Sequence, residues 1–274
     1  MKKLIAFIMC AMCLVMSAGV NAADAVTIEV VELSEKAPIK PIAINLAVKT
    51  YRGVTTGGEM HAYPQSGECS FQITSQPKHG AVTFRENGSF VYTHDGSKTK
   101  KDSFSYAVTE NGVTSNEARV SIKIMKQKDK SVYGDMTGSE NEYYAMFLKE
   151  AGAFTGEKFG GEYVFLPDVP VTAREFAAMC AAVTESADLS NTTDNGTITV
   201  GKAAEILDEI LKITDVEPVF SESESSIAEI QAVSNLCACG AISYSDISGL
   251  SETLTRASAA KLLAGAWNVL ENRA

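Results

Sequence analysis

Apolar and polar residues alternate along the first part of the chain, from about residue 25 to residue 125. A period of two places every second side chain on one face of an extended segment, so this pattern predicts half-buried strands. Turn signals separate the strands at Gly57-Gly58, Lys78-His79-Gly80, Asn87-Gly88, Asp95-Gly96 and Asn111-Gly112. The predicted buried positions are Phe90, Tyr92, Phe104, Tyr106, Val108, Ala118, Val120, Ile122 and Ile124. About seven short strands punctuated in this way predict an all-β sandwich.

The period changes to 3.6 after a short linker at residues 126–131. In the region 132–274, apolar residues recur at the spacing i, i+3, i+4 and i+7, which predicts amphipathic helices. The predicted helices lie near residues 141–151, 172–185, 199–213, 226–239 and 255–272. The sequence therefore predicts a multidomain chain, with a sandwich at 25–125 and an all-α bundle at 132–274.

Two segments of the helical region resemble each other, one from Phe165 to Met179 and one from Leu250 to Leu263. A helix-loop-helix unit of this size cannot bury its own apolar face, so its recurrence predicts units that pack on one another. We delimit three units at 132–185, 186–216 and 217–274. The second is truncated, because residues 186–198 are too few and too polar to hold a first helix. Thr172 with Glu175 predicts a capping box, and Thr199 and Thr255 mark the other helix starts.

Residues 1–22 have the pattern of a cleaved signal peptide. Two lysines precede an apolar run from Leu4 to Gly19, and small residues ending at Ala22 follow it. The run is shorter than the roughly 20 residues that span a bilayer, and no second run follows, so we expect an exported chain without a transmembrane segment. Removal of this signal peptide lowers the number of Lys and Arg residues from 24 to 22, while the 34 Asp and Glu residues remain. The net charge therefore changes from −10 to −12. This acidic balance argues against nucleic acid and anionic lipid as partners.

Reactive residue types are sparse and scattered. Four cysteines remain outside the signal segment; we interpret them as small buried hydrophobes, although a bridge from Cys180 to Cys237 or Cys239 stays open. We interpret His61, His79 and His94 as surface residues, with no partners spaced for a catalytic triad, and the only tryptophan, Trp267, as a core residue rather than a sugar platform. No sequence motif of an enzyme or a metal site is present, so we expect a non-enzymatic protein.

The first domain resembles the bacterial Ig-like, cadherin-like repeat of surface proteins. The resemblance rests on Gln76-Pro-Lys-His-Gly80, on Gly88-Ser-Phe-Val-Tyr-Thr93 and on Asp102-Ser-Phe-Ser-Tyr106. Such repeats often carry calcium ligands, including an Asp in the segment that here reads His61-Ala-Tyr63-Pro64. Because that Asp is missing, we expect no cofactor, with calcium as an open alternative.

The helical region resembles the S-layer homology (SLH) module of bacterial envelopes, whose signature is a Pro-Asp-like loop followed by Thr-Arg-Ala-Glu. In that family the Arg lies in a groove between units and meets an anionic sugar of the wall polymer. The resemblance points to Thr255 and Arg256, then to Arg174, displaced by one position, and to Lys202. A guanidinium suits a carboxylate, and a helix start is expected to add unpaired N–H groups. The match is partial, because Ser258 replaces the acid of the motif.

Together, the signal peptide pattern and the two family resemblances imply a secreted, wall-associated or S-layer-associated envelope protein. Its helical domain would dock non-covalently on anionic secondary cell-wall polysaccharide, and its Ig-like domain would act as a displayed or spacer module. The alternative is a secreted interaction, assembly or adhesion module that binds other surface proteins, in which the degenerate SLH units form only a scaffold.

Overall fold

The computed structural model describes residues 39–63, 69–128, 132–184, 194–218, 222, 225–247 and 249–273. The predicted signal peptide, most of the segment 186–198 and the end of the linker lie outside these residues. Within them the order of elements is a run of strands followed by helices.

The strands of the first part form two facing sheets. Their bounds are β1 Ile42–Ala43, β2 Leu46–Tyr51, β3 Thr55–Glu59, β4 Ala62–Tyr63, β5 Cys69–Ser75, β6 Gly80–Phe84, β7 Ser89–His94, β8 Lys101–Glu110, β9 Val113–Thr114 and β10 Ala118–Met125. In the first sheet, β10 pairs in parallel with β2 and antiparallel with β8, while β8 also pairs with β5 and β9. The second sheet has the order β3-β7-β6, and β1 pairs with β4.

The predicted face of each strand is confirmed. The nine apolar residues expected to point inward are all buried, and Phe90 packs edge-on against Phe104 with ring centroids 5.1 Å apart. Asn111 and Gly112 turn the chain with positive φ angles of 48° and 78°, as Asn-Gly pairs do in tight hairpins.

The Gly57-Gly58 pair is not a turn, contrary to the prediction. Both glycines lie within β3 and pair with β7. A Cβ on Gly57 would lie 2.9 Å from the Cβ of Glu140 in the helical part, and a Cβ on Gly58 would lie 2.5 Å from the ring of Phe90. These positions are therefore glycine because other groups approach them closely, not because the chain reverses there.

Among the described residues, the second part contains five α-helices and a short hairpin. The bounds are α1 Glu142–Glu150, α2 Ala173–Thr184, α3 Val200–Leu211, α4 Ile227–Ala238 and α5 Arg256–Arg273, with β11 Glu157–Phe159 and β12 Glu162–Val164 between α1 and α2. Helices α2, α3 and α5 contact one another, while α1 packs on α5 and α4 packs on α3. The hairpin was not predicted. Among the described residues, no helix is long and apolar enough to cross a membrane.

The described sandwich and helical parts belong to one compact unit. Tyr51 and Val54 of the sandwich join the helical core, and the ring of Tyr51 lies 5.8 Å from that of Tyr143. The buried Glu142 carboxylate accepts hydrogen bonds from the Thr55 N–H at 3.0 Å and the Gly138 N–H at 3.1 Å. The sandwich is thus held in a defined orientation on the helices by polar as well as apolar contacts.

One of the three histidines differs from the surface position expected from the sequence, whereas Trp267 packs against the helical core as expected. His94 is only 3% exposed, and its Nδ1 accepts hydrogen bonds from the N–H groups of Gly53 and Gly96. Trp267 is only partly buried; it packs on Phe147 at a centroid distance of 5.4 Å, and the Lys49 ammonium lies 4.6 Å above its ring.

Cys69, Cys180, Cys237 and Cys239 are free thiols, and of these only Cys180 is fully buried. The possible bridge from Cys180 to Cys237 or Cys239 is therefore not formed.

Candidate functional site

The three threonine-started helices meet at a closed ring of backbone hydrogen bonds. The residues that precede the threonines are Val171, Ile198 and Leu254, and all three are buried. The N–H of Val171 donates to the carbonyl of Leu254 at 2.9 Å, that of Leu254 to Ile198 at 2.8 Å, and that of Ile198 to Val171 at 3.0 Å. Each junction therefore contacts both of the others, with approximate three-fold symmetry. We call this arrangement the junction ring.

The same rotation applies to the first N–H groups of each helix. In each helix, the N–H groups of the first and second residues donate to backbone carbonyls of a neighbouring loop. The two acceptors lie three and five residues before the threonine that starts the next helix in the ring. The pairs are Ala173 to Gly196 and Arg174 to Asp194, Val200 to Glu252 and Gly201 to Leu250, and Arg256 to Val169 and Ala257 to Pro167, all at 2.9 to 3.0 Å. The repeated loops are thus caps for one another's helices, which explains their recurrence.

The threonine side chains satisfy the third donor of each helix. The hydroxyl of Thr172 accepts from the Glu175 N–H at 3.2 Å, and the Glu175 carboxylate accepts from the Thr172 N–H at 2.9 Å, so the predicted capping box is confirmed. Thr199 and Thr255 accept in the same way from Lys202 and Ser258. The expectation of unpaired N–H groups at these helix starts was therefore wrong, because all three leading donors of each helix are bonded internally.

Arg256 lies at the first position of α5 and is only 5% exposed. Its guanidinium donates to the carbonyl of Phe165 at 2.5 Å and to the Glu157 carboxylate at 3.4 Å. It also stacks on Phe154, with the guanidinium carbon 4.5 Å from the ring centroid. The guanidinium therefore already has hydrogen-bond and stacking partners within the chain, and one of them is Glu157 of the hairpin that the sequence did not predict.

The other predicted cations lie apart from Arg256. The ammonium of Lys202 bonds to Glu205 at 2.7 Å and lies 3.8 Å from Glu229 of α4, and the hydrogen bond to Glu205 raises the pKa of Lys202. Arg174 is exposed near the segment that begins at Asp194. The structure thus brings the threonines together but distributes the three cations over different surfaces. Ligand contact by Thr255, Arg256, Arg174 or Lys202 stays a prediction.

Three groups around Arg256 were missed by sequence reasoning. The Asp135 carboxylate accepts the N–H groups of Phe165 and Leu166 at 2.8 and 2.7 Å, and so holds the loop whose carbonyl faces Arg256. Phe154 and Glu157 complete the surroundings. The one available signal was Gly160-Gly161, whose positive φ angles of 57° and 95° form the hairpin turn. Among the described residues, no three His, Cys, Asp or Glu side chains are grouped so that they could hold a metal ion.

Comparison with known proteins assigns the sandwich. Residues 35–123 match the family model described as a bacterial Ig domain, so the N-terminal part is an Ig-like β-sandwich of the type found in bacterial surface proteins. No curated protein matches the chain.

The solved structures with similarity include a protocadherin gammaB7 EC3-6 cis-dimer and the crystal structure of the titin M3 domain. The first is 9% identical with a TM-score of 0.28, covering 35% of this chain and 27% of that one. The second is 10% identical with a TM-score of 0.20, covering 32% of this chain and 98% of that one. The chain thus spans about a quarter of the protocadherin chain, and the Ig-like assignment rests on the family match.

Proposed function

We propose that the protein is an exported, non-enzymatic component of a bacterial envelope. Its helical part would attach non-covalently to anionic secondary cell-wall polysaccharide, and its Ig-like domain would be a displayed or spacer module. The junction ring carries this proposal, because three similar units capping one another in a cycle fit the SLH resemblance of the loop sequences. The bacterial Ig domain match supports placement at the cell surface, outside the membrane.

Of the three cations predicted to bind ligand, Arg174 and Lys202 are exposed, and 55% of the Lys202 side chain is exposed. Arg256 would act mainly by holding the loop at Phe165. A polymer carboxylate would therefore meet Arg174 and Lys202 first, as exposed charges that steer association and contribute modestly to affinity.

The test is co-sedimentation of the protein with purified walls, before and after chemical removal of the secondary polymer. The Arg174→Ala/Lys202→Ala variant is compared with Lys40→Ala/Lys158→Ala, which removes the same charge from exposed positions outside the junction ring. We expect binding that depends on the polymer and is weakened only by the first variant. Equal binding to stripped walls would contradict polymer docking.

Two observations favour a second function, that of a protein-binding module. The guanidinium of Arg256 is occupied by contacts within the chain, and the sandwich packs on the helices in a defined orientation. In this alternative the helical part is a scaffold, and the protein is an assembly or adhesion module that binds other surface proteins. It predicts no wall binding by the protein alone and recovery of a defined protein partner by cross-linking on intact cells.

A further inference from the structure

A groove of about 1000 Å³ lies between the outer face of the sheet β2-β10-β8-β5 and the C-terminal half of α5. The sheet contributes Lys49, Lys101, Lys123 and Arg119 to it, the β5–β6 connection contributes Lys78, and α5 contributes Asn268. The groove is thus strongly basic on a chain whose net charge is −10.

Three of these lysines are direct neighbours across three strands. Lys123 on β10 is in register with Lys49 on β2 and with Lys101 on β8. Like charges directly opposite each other destabilise a sheet, and side chains so paired have Cβ atoms about 5 Å apart. Such a row costs folding free energy unless counter-charges or a bound anion compensate it.

The protein supplies only part of that compensation. Glu271 of α5 bonds to Lys49 at 2.5 Å and lies 3.7 Å from Lys123, and its hydrogen bond to Lys49 lowers the pKa of the Glu271 carboxyl. One carboxylate therefore serves two lysines. Within the described residues, Lys101 has no ion-pair partner, and the guanidinium of Arg119 bonds to the Ser103 hydroxyl at 2.8 Å rather than to an acid.

The acid nearest to Lys101 in sequence is also committed elsewhere. The Asp102 carboxylate accepts the N–H groups of Lys78 and His79 at 3.0 and 2.8 Å and the Tyr92 hydroxyl at 2.9 Å. Burial raises the pKa of Asp102, but these bonds outweigh it and hold the pKa below its usual value. Asp102 thus shapes the β5–β6 connection instead of neutralising the row.

We propose that this groove binds an anionic polysaccharide bearing carboxylate or phosphate groups. The lysine row spans about 10 Å across two strand spacings, and Arg119 lies about 13 Å from Lys123 along β10, so charges on successive units of a chain can be met. The Asn272 amide and the Nδ2 group of Asn268, whose Oδ1 accepts from the Lys49 ammonium at 2.6 Å, offer hydrogen bonds to sugar hydroxyls. A basic groove on an acidic protein concentrates anions locally while the rest of the surface repels a bulky polyanion.

The acidic remainder of the surface repels a polyanion more strongly as its charge density rises, so it disfavours duplex DNA more than a polysaccharide with one charge per unit. Duplex DNA carries about one charge per 1.7 Å and would face the acidic remainder of the surface. A stacking platform for unpaired bases is lacking at Trp267, because Lys49 covers its ring. The proposal rests on the proposed wall attachment but places the principal contact in the groove, away from the junction ring.

The experiment measures binding of the full chain to polygalacturonate, to poly(glycerol phosphate) and to duplex DNA at low and physiological salt. The test variant is Lys101→Glu/Arg119→Glu, which reverses two groove cations that form no ion pair within the described residues. The matched control is Lys40→Glu/Lys158→Glu, with the same charge change at exposed positions outside the groove. Thermal unfolding establishes that both variants fold, and Lys101→Gln/Arg119→Gln replaces the test variant if it does not.

We expect the test variant to lose about tenfold or more in affinity and to show a weaker salt dependence, since two charge contacts become repulsive. A preference for polygalacturonate assigns carboxylate as the recognised group, and a preference for poly(glycerol phosphate) assigns phosphate. Equal losses in test and control variants, or tighter binding of DNA than of either polymer, overturn the proposal. If the protein binds polymers through the groove but does not bind walls, the proposed wall attachment is refuted and the groove proposal stands. If the Lys101→Glu/Arg119→Glu variant binds walls as well as the parent does, the groove proposal is refuted and wall attachment stands.

Discussion

Replacement of Arg256 by Ala tests whether this residue stabilises the fold or serves mainly to contact a ligand. The side chain is 5% exposed, donates to the buried Phe165 carbonyl and stacks on Phe154. A charged hydrogen bond of this kind contributes about 1.5–3 kcal/mol. The stacking adds about 0.5–2 kcal/mol. The pair with Glu157, whose side chain is 47% exposed, adds about 0–1 kcal/mol because water screens it.

We therefore expect Arg256→Ala to lower the free energy of unfolding by about 3–5 kcal/mol. Arg256→Lys keeps the charge but loses the planar stacking and the forked donors, so we expect an intermediate loss of about 1–3 kcal/mol. Arg174→Ala serves as the control and should change stability by less than about 0.5 kcal/mol, since Arg174 is exposed.

The assay is urea unfolding followed by the fluorescence of Trp267, the single tryptophan, together with far-UV circular dichroism. Coincident transitions license the two-state free energies. If Arg256→Ala stays within about 0.5 kcal/mol of the parent, the guanidinium contacts do not stabilise the fold and the structural role is refuted. Loss of polymer binding in such a stable variant would then favour direct ligand contact.

Three further predictions concern other elements. Gly57→Ala places a Cβ 2.9 Å from that of Glu140, so we expect a loss of about 1–3 kcal/mol in the free energy of unfolding, measured by urea unfolding. Burial lowers the pKa of His94 in the folded chain, so the unfolded chain binds a proton on this residue at a higher pH than the folded chain does. The free energy of unfolding should therefore fall as the pH drops below about 6.5, and His94→Asn should reduce this pH dependence. Burial raises the pKa of Cys180 to about 12, so native protein should leave this thiol unlabelled by iodoacetamide at neutral pH while denatured protein is labelled.

Local features of the fold were predictable because a few neighbouring residues encode them. The inward face of β10 follows from alternation alone, and the starts of α2, α3 and α5 follow from threonines that bond three residues ahead. The Gly57-Gly58 prediction failed for the complementary reason. Gly57 and Gly58 are required by the close approach of Glu140 and Phe90, which are distant in sequence. A Gly-Gly pair in a turn has the same local composition, so the sequence could not distinguish the two cases.

Strand faces, helix starts, the recurrence of the units and the acidic charge thus follow from local patterns of residues. Three other features depend on the packing of distant segments: the junctions close into a ring, Arg256 bonds to a carbonyl 91 residues away, and Lys49, Lys123 and Lys101 lie side by side. Hydrogen bonds, desolvation and like-charge contact act through space. Their partners are selected by strand register and helix packing, and no local pattern specifies either one.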